Sequence, residues 1–286
     1  MNEPQLRGVL YGHGRMGQFH AAKIADRSDI ELSVIDPGEG LLGPPDLRPD
    51  FAIIATPTTT HAKVAGPLLH QGIPCLIEKP LASNIEDATR LAEYSNLYVG
   101  HIERFNPVFS ALGELDSEYI EIERLSTFSD RANDVDVIDD LMIHDLDLIS
   151  QMMPGPIIDI RAKGIGVMSS QPDIVNARIE VDLGGERVGV VNLTASRISP
   201  RSIRTWRVVE PGRYWSLDLK NHEAKMVNWA DQEMTTHAVS IPKTDALTAE
   251  HDAFFCAIRQ SAPFPCTGSE ALEALQLAER IRSCLL

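Results

Sequence analysis

The stretch Gly8-Val9-Leu10-Tyr11-Gly12-His13-Gly14-Arg15-Met16-Gly17 decides the fold of the amino-terminal half of this chain. An apolar run typical of a buried parallel strand comes first, a G-x-G-x-x-G turn follows, and the next residues have helical spacing. In such a turn Gly12 allows the tight bend, Gly14 allows close approach of a pyrophosphate, and Gly17 lets the helix pack on the strand. The amides at the helix start then face the phosphates. The pattern predicts a dinucleotide site built from Gly12, His13, Gly14, Arg15, Met16 and Gly17.

A second apolar run, Ile30-Glu31-Leu32-Ser33-Val34-Ile35, ends in Asp36. An acidic residue about 20 positions past the glycines is where a ribose hydroxyl is held in this type of site. Asp36 would repel a 2′-phosphate, and Pro37 and Gly38 behind it offer no arginine, so we expect NAD rather than NADP. The Gly- and Pro-rich stretch 37–45 predicts a loop crossover, a feature that could weaken binding of the adenine.

Composition bounds the class of protein. The chain has 286 residues, 43% of them hydrophobic, and a formal net charge of −15, which disfavours nucleic acid as a partner. The first residues lead directly into a predicted strand, and no apolar run approaches the roughly 18 residues of a membrane span, so we expect a cytoplasmic protein. The scattered cysteines predict neither disulfides nor a metal site; they are Cys75, Cys256, Cys266 and Cys284.

The periodicity changes along the chain. Up to about residue 126 strands alternate with helices, as a doubly wound parallel sheet requires, so residues 1–125 are predicted to form a Rossmann NAD-binding domain. Residues 126–286 are predicted to form an α+β domain for substrate binding and oligomerisation, because period-2 strands follow a helix near residue 140. One face of this mostly antiparallel, open sheet should pack against that helix. A second subunit is one candidate for the other face, hence a homodimer or homotetramer; the last helix is expected to pack back on the first domain.

Chemistry-bearing residues follow the predicted strands. Thr56-Pro57, Glu78-Lys79-Pro80 and His101 each come just after a strand of the parallel sheet, where ligands of such sheets bind. Farther on, Asp140 and His144 are four residues apart on a helix and therefore share one face. A carboxylate beside an imidazole is suited to proton transfer near neutral pH, although such a pair is more often structural.

Together these motifs resemble those of the Gfo/Idh/MocA oxidoreductases, a family named for glucose-fructose oxidoreductase and inositol dehydrogenase. The resemblance covers essentially the whole chain. Its motifs are Gly12 to Gly17, Ala55-Thr56-Pro57 with His61, Glu78-Lys79-Pro80, Asp140-x-x-x-His144-x-x-Asp147, Phe254-Phe255 and Gly268-Ser269-Glu270-Ala271. One departure is Met142, at a position where the family often has glycine, which could reshape the substrate pocket.

The resemblance implies roles for individual residues. Lys79, His144 and Asp140 would be catalytic, since the corresponding family residues approach the substrate carbinol. We favour His144 as the proton acceptor and Lys79 as the electrostatic partner, with the reverse assignment open. Asp140 would orient His144 or bind a substrate hydroxyl. Besides the glycine turn and Asp36, the cofactor would contact Thr56, Pro57, His61, Glu78 and Lys79, although His61 and His20 are also interpreted as packing residues.

Within the family, His101-x-x-Arg104-Phe105-Asn106-Pro107 and the Asp140 motif resemble members that oxidise the 3-hydroxyl of UDP-N-acetylglucosamine. The 3-keto product of that reaction goes to a transaminase in the synthesis of lipid A or surface polysaccharide. A diphosphate needs cationic donors, for which Arg104, Arg124 and Arg131 are candidates. The predicted substrate-binding residues are His101, Arg104, Asn106, Arg131, Asp140 and His144. Three alternatives are a dehydrogenase of a free polyol such as an inositol, a tetrapyrrole reductase, and a non-catalytic dinucleotide sensor.

Overall fold

The computed structural model describes residues 5–40, 48–112, 115–128, 136–230 and 233–285. The chain divides into two compact units, Met1–Arg104 with Ala246–Leu275 and Phe105–Asp245 with Gln276–Leu286. This division differs from the expected one at residues 125 and 126. The strand Tyr119–Leu125 belongs to the second unit because it hydrogen-bonds into that unit's sheet, and the segment 246–275 returns to the first unit.

The secondary structure alternates in the first part of the chain and is mostly extended in the second. The helices are α1 (Arg15–Ala25), α2 (His61–His70), α3 (Ile85–Ala92), α4 (Pro107–Ser110), α5 (Ile143–Met152), α6 (Ala246–Gln260) and α7 (Gly268–Ser283). None of the helices in the described parts of the chain has the length and apolarity needed to cross a membrane.

The first unit contains a parallel sheet of five strands. They are β1 (Leu6–Tyr11), β2 (Ile30–Ile35), β3 (Phe51–Ile54), β4 (Cys75–Glu78) and β5 (Leu97–Gly100), in the spatial order β2-β1-β3-β4-β5. The strand order reverses at β1, and ligands of doubly wound sheets bind outside the carboxyl ends of the strands at such a point. The ends of β1 and β3 therefore define the expected crevice.

An aromatic cluster closes the core of the first unit. Phe51 on β3 is fully buried, and its ring centroid lies 5.7 Å from that of Phe254 and 5.2 Å from that of Phe255, both on α6. Gly8 on β1 makes room for this ring, since a Cβ atom there would lie 2.0 Å from the Phe51 ring. Aromatic pairs at these separations stabilise a core beyond the area that they bury. The closing helix thus comes from the far end of the chain.

The amino-terminal cap of α3 lies one residue later than the sequence indicates. Ser83 followed by Glu86 predicts a capping box, but the structure uses Asn84, whose side chain accepts a hydrogen bond of 2.8 Å from the amide of Asp87. Asn84 Nδ2 donates in return to Asp87 Oδ2 at 2.8 Å. Both pairs of side chains satisfy the capping pattern, so local sequence alone does not distinguish them.

The second unit contains an eight-stranded sheet. Its strands are β6 (Tyr119–Leu125), β7 (Ile157–Ile165), β8 (Ile174–Gly184), β9 (Arg187–Ser196), β10 (Ile203–Glu210), β11 (Arg213–Asp218), β12 (Glu223–Ala230) and β13 (Glu233–Val239). The order is β13-β12-β11-β10-β6-β9-β8-β7, and every neighbouring pair is antiparallel except β6 with β9. The predicted α/β class, a Rossmann domain followed by a mostly antiparallel α+β domain, is confirmed.

Candidate active site

The glycine turn connects β1 to α1 and lies against the end of β3. Gly12 has a φ of +91°, and a Cβ atom there would lie 2.5 Å from the carbonyl oxygen of Ala55. A Cβ atom on Gly17 would lie 2.1 Å from the carbonyl oxygen of Gly12. Only glycine fits either position without moving the main chain. The structure therefore places the turn at the crevice between β1 and β3.

Gly14 differs from the other two glycines because a Cβ atom on it would meet nothing within 4 Å. It is the amino-terminal cap of α1, and among the described residues no side chain forms a capping hydrogen bond there. The first amides of α1 thus face open space with the positive end of the helix dipole. Such an end binds phosphate groups, so the turn fits the pyrophosphate of a dinucleotide. Arg15 and the half-buried Met16 begin this helix.

Asp36 follows β2 and reaches back to the glycine turn. Its Oδ2 accepts a hydrogen bond of 2.7 Å from the His13 amide, and its Oδ1 accepts one of 3.0 Å from the Gly38 amide. The bond from His13 is the main cause that lowers the pKa of this carboxyl group. Each carboxylate oxygen can accept a further hydrogen bond, which suits it to ribose hydroxyl groups. His13 in turn contacts Glu39, with 2.8 Å from Nδ1 to Oε2.

His61 braces the ends of β3 and β4. Its Nε2 lies 2.9 Å from the carbonyl oxygen of Thr56, and its Nδ1 lies 3.1 Å from that of Pro80. The ring is 1% exposed, and burial is the main cause that lowers its pKa. The neutral ring donates to one of these carbonyl oxygens through its single N–H and packs against the other, so it lies between the two strand ends. The position is that of a packing residue behind Thr56 and Pro57, one of the two interpretations that the sequence allows.

Lys79 directly follows β4, at the same edge of the sheet as the glycine turn, and is half-buried. The preceding Glu78 accepts a hydrogen bond from His20 of α1, with 2.8 Å between Oε1 and Nε2. This contact joins α1, which starts at the glycine turn, to the residue that precedes Lys79. Sequence reasoning missed this role for His20, because no local pattern relates positions 20 and 78.

His101 and Arg104 follow β5 in the same unit. His101 is 1% exposed, and its amide donates to the Val99 carbonyl oxygen at 2.9 Å. Arg104 Nη1 lies 3.0 Å from Glu270 Oε1 and also donates to the carbonyl oxygen of Pro265. The guanidinium group predicted to meet a substrate diphosphate therefore holds the start of α7 in place. Its long-range partner at position 270 could not be read from local sequence.

The motif with Asp140 and His144 opens a helix in the second unit. Residues Ile138–Met142 form a π-helical turn that continues directly into α5, so Asp140 lies in the π turn and His144 in the first turn of the α-helix. Asp136 caps the turn, since its Oδ1 accepts from the amides of Ile138 at 3.0 Å and Asp139 at 3.1 Å. A π turn is uncommon and is found frequently at functional sites.

Arg282 of α7 clamps the start of this helix. Its Nε donates to Asp136 Oδ2 at 2.9 Å, and its Nη2 lies 2.8 Å from Asp139 Oδ2. Burial on its own would lower the pKa of Arg282, but the two carboxylates outweigh it and raise that pKa. Asp140 directly follows Asp139, and its amide donates to the Asp136 carbonyl oxygen at 3.1 Å, so the same contacts hold its backbone.

Asp145, next to His144, fastens α5 to the sheet. It accepts hydrogen bonds from Arg124 on β6 at 2.6 and 2.7 Å, and from Trp206 Nε1 on β10 at 3.1 Å. The expected packing of this helix on the antiparallel sheet is therefore present, and Arg124 has a structural partner in Asp145. With Asp145 held inward, the backbone of His144 is fixed on the first turn of α5.

Two further predicted substrate residues remain. Asn106 is buried and caps α4, because its Oδ1 accepts from the Val108 amide at 3.1 Å while its Nδ2 donates to the Leu219 carbonyl oxygen at 3.1 Å. It thus has a structural position in the second unit. Arg131 lies outside the described residues.

Comparisons with known proteins agree with this description. Residues 20–96 match the model of an oxidoreductase family with an NAD-binding Rossmann fold, GFO_IDH_MocA. The chain is 32% identical to UDP-N-acetylglucosamine 3-dehydrogenase of Acidithiobacillus ferrooxidans, over 97% of this chain and 96% of that protein. The solved structure of that enzyme has a TM-score of 0.90 and covers 99% of this chain and 98% of its own.

A second relative is the rhizopine catabolism protein MocA of Rhizobium meliloti, which is 26% identical over 96% of this chain and 93% of that protein. The chain belongs to the Gfo/Idh/MocA family of oxidoreductases, as the motifs predicted, and carries that family's NAD-binding Rossmann fold.

Proposed function

We propose that this protein is an NAD-dependent dehydrogenase that oxidises a secondary hydroxyl group of a nucleotide sugar, the 3-hydroxyl of UDP-N-acetylglucosamine. The observation that carries the proposal is the similarity to the Acidithiobacillus enzyme over nearly the whole chain, in a protein that retains Lys79 and His144. A non-catalytic sensor would have no need of either residue. Lys79 directly follows β4, and His144 lies in the first turn of α5.

The choice of NAD over NADP is supported by Asp36. Its carboxylate is held beside the glycine turn by the His13 amide, where it favours ribose hydroxyl groups and repels a 2′-phosphate. When bound, the cofactor supplies the nicotinamide carbon that accepts the hydride. The residues that would hold it are the glycine turn, Asp36 and the strand ends at Thr56 and Glu78.

The chemistry of the chain's own residues follows from their types. His144 accepts the hydroxyl proton of the substrate, since an imidazole does this near neutral pH without a large change in its pKa. Lys79 places a positive charge against the oxygen on which negative charge develops. Asp140 orients the imidazole or accepts a hydrogen bond from a neighbouring hydroxyl. The substrate thereby loses a hydride and a proton and becomes a ketone.

The proposal includes a setting for the reaction. The 3-keto sugar would be the substrate of a transaminase that supplies a 3-amino sugar for lipopolysaccharide. We propose a cytoplasmic homodimer or homotetramer that associates through the open sheet of the second unit. The assembly is tested by light scattering of the purified protein.

The activity is tested by absorbance of reduced nicotinamide after the purified protein is mixed with NAD and UDP-N-acetylglucosamine. We expect a signal for the wild type and loss of at least about 100-fold in kcat for Lys79→Ala and His144→Ala, the lower range for removal of a proton-transfer or charge-stabilising group. Lys63→Ala, on the exposed side of α2, is the matched control and should keep full activity.

The alternatives give different results in the same assay. Oxidation of free myo-inositol without oxidation of the nucleotide sugar would replace the proposed substrate with a polyol. Binding of NADH, measured by its fluorescence, without turnover of any sugar would contradict the dehydrogenase and indicate a sensor. Cofactor retained during purification is removed and quantified first, so that bound cofactor is not the reason for a missing absorbance change after NAD is added.

A further inference from the structure

Four ionisable side chains meet inside the first unit, between α1, β4 and α6. We name His20, Glu78, Glu250 and His251 the Glu78 cluster. His20 and Glu250 are 0% exposed and His251 is 1% exposed. His20 connects two of the others, since its Nε2 lies 2.8 Å from Glu78 Oε1 and its Nδ1 lies 2.7 Å from His251 Nε2.

Glu250 is the unusual member of the Glu78 cluster. Both of its carboxyl oxygens are buried, and neither has a hydrogen-bond partner among the described residues. It faces Glu78 across Gly100, where a Cβ atom would lie 3.3 Å from Glu78 Oε1 and 3.6 Å from Glu250 Oε2. Two carboxylates this close, away from water, are not both ionised without a large cost. Burial first, and the charge of Glu78 second, raise the pKa of Glu250 well above its ordinary value.

The hydrogen bonds of His20 determine where the charge lies. A neutral imidazole has one donor and one acceptor nitrogen. With Nε2 donating to Glu78, Nδ1 accepts from His251 Nε2, so the two rings donate in one direction toward the Glu78 carboxylate. Glu78 thus has a donor in His20, whereas Glu250 has no hydrogen-bond partner among the described residues, so we assign the proton of the carboxyl pair to Glu250.

The side chains of His20, Glu78 and Glu250 also have the types and spacing of metal ligands. One potential ligand atom each from His20, Glu78 and Glu250 lies within 4.8 Å of the others. Both nitrogens of His20 already face protein partners, however, so no lone pair is available for a cation while these bonds last. The hydrogen-bonded arrangement gives both ring nitrogens of His20 a partner, whereas a metal site would use only one of them.

We propose that Glu250, in its neutral form, is a positioning residue for the turn that carries Lys79. It fills the space beside Glu78 without adding a second charge, so Glu78 stays hydrogen-bonded to His20. As a consequence Lys79, the next residue in the chain, keeps its place at the end of β4. This inference rests on the proposed role of Lys79 in catalysis. Ionisation of Glu250 would set two carboxylates against each other at that turn.

The first test is the pH dependence of stability. A carboxyl group with a raised pKa in the folded state gives full stability below its unfolded pKa, near 4.5. That stability is lost as the pH rises toward the folded pKa. Glu250→Gln lacks this loss, whereas the groups that face it, Glu78, His20 and His251, are the same in both proteins. The Tm of Glu250→Gln minus that of the wild type should therefore grow by about 3 °C or more between pH 4.5 and pH 8.

The matched control is Glu93→Gln, an exposed residue at the end of α3. Its Tm difference from the wild type should stay constant over the same range. If the difference for Glu250→Gln were equally constant, Glu250 would be ionised in the folded protein and the proposal would be overturned. Zinc or manganese present at one equivalent in the wild type and absent from Glu250→Gln would overturn it as well.

The second test concerns Lys79 and needs no substrate. The rate of reductive methylation of Lys79, relative to that of the exposed Lys63, reports the environment of the lysine. We expect Glu250→Gln to match the wild type and Glu250→Ala, which leaves space beside Glu78, to change the ratio at least threefold. Equal ratios in all three proteins would show that Glu250 only packs against its neighbours, and the positioning role would be overturned.

Activity provides the third readout. With NAD and UDP-N-acetylglucosamine, Glu250→Gln should keep kcat within about twofold, whereas Glu250→Ala should lose about tenfold in kcat with little change in KM. Loss of kcat in the Gln variant equal to that in the Ala variant would contradict the positioning role. If the wild type oxidised neither UDP-N-acetylglucosamine nor myo-inositol, the proposed function would fail. The stability and labelling results would still decide the role of Glu250.

Discussion

Arg124 donates two hydrogen bonds to Asp145 inside the second unit, at 2.6 Å from Nε to Oδ2 and 2.7 Å from Nη2 to Oδ1. Both side chains are almost completely buried, with 3% and 2% exposed. The pair joins β6 to α5 beside His144. A guanidinium group in this position fastens the helix that carries His144 to the sheet.

Removal of one partner of this pair should destabilise the protein strongly. Arg124→Met leaves the Asp145 carboxylate buried without the two hydrogen bonds from the guanidinium group, at an expected cost of about 3–5 kcal/mol in the free energy of unfolding. Urea denaturation measures the difference. Arg207→Met is the control, since Arg207 and Glu121 form an ion pair that is 39% and 41% exposed and should contribute less than about 1 kcal/mol. Equal losses in the two variants would contradict the structural role.

The glycine turn allows stability and cofactor binding to be separated. Gly17→Ala forces a Cβ atom against the Gly12 carbonyl oxygen and should lower both the Tm and the affinity for NAD. Gly14→Ala meets nothing in the protein, so it should keep the Tm while weakening NAD binding about tenfold or more, because the methyl group occupies the approach of the pyrophosphate. Titration of NADH fluorescence and calorimetry give the two quantities.

The control for that series is Gly66→Ala, a position in α2 where a Cβ atom also meets nothing within 4 Å. It should leave NAD affinity unchanged and leave the Tm unchanged or slightly higher, because alanine favours a helix. Unchanged NAD affinity in Gly14→Ala would place the pyrophosphate away from the turn.

Asp36 should set the preference between the two nicotinamide cofactors. Asp36→Asn keeps an oxygen for the His13 amide but removes the charge that repels a 2′-phosphate. We expect the ratio of kcat/KM for NADP to that for NAD to rise about tenfold, the effect of roughly 1.4 kcal/mol. A ratio that stays constant would show that the preference arises elsewhere on the cofactor.

Asp29 should make the first unit sensitive to acid. Burial on its own raises the pKa of Asp29, but hydrogen bonds from Arg27 and Arg259 outweigh it and lower the pKa from 3.8 to about 2. The stability that these contacts give is present above pH 3.8 and is lost as the pH falls through about 2. Asp29→Asn should therefore lower the Tm at pH 6 and have a smaller effect near pH 2.

The exposed Asp26→Asn is the matched control for loss of one surface charge on the same connection. Its effect on the Tm should be small at both pH values. If Asp29→Asn behaved in the same way, the contact of Asp29 with α6 through Arg259 would contribute no stability.

Local patterns were sufficient for most of the fold. The glycine turn and the strand Ile30–Ile35 lie where the sequence predicts them, because one apolar run precedes the glycines and another precedes Asp36. The strands Glu223–Ala230 and Glu233–Val239 were not predicted, since most of their side chains are exposed and have no apolar alternation. Pairing with neighbouring strands, rather than burial, forms them.

Residues of the candidate site could be singled out from the sequence only where they lie in motifs. Lys79 and His144 were singled out because each follows a recognisable pattern at the end of a strand or the start of a helix. The partners of His20 were not, since His251 is 231 positions away. Arg104, which the sequence predicts as a substrate residue, pairs with Glu270, 166 positions later, and a distant partner of this kind leaves no trace in local sequence.

The helix α6 has a consequence for how the protein is made. Phe254 and Phe255 complete the aromatic core around Phe51, and Glu250 and His251 complete the Glu78 cluster. A nascent chain that has emerged from the ribosome only as far as residue 245 contains every strand of the parallel sheet but neither of these contacts. The cofactor half, although first in the sequence, is thus completed only after the second unit's sheet has been synthesised.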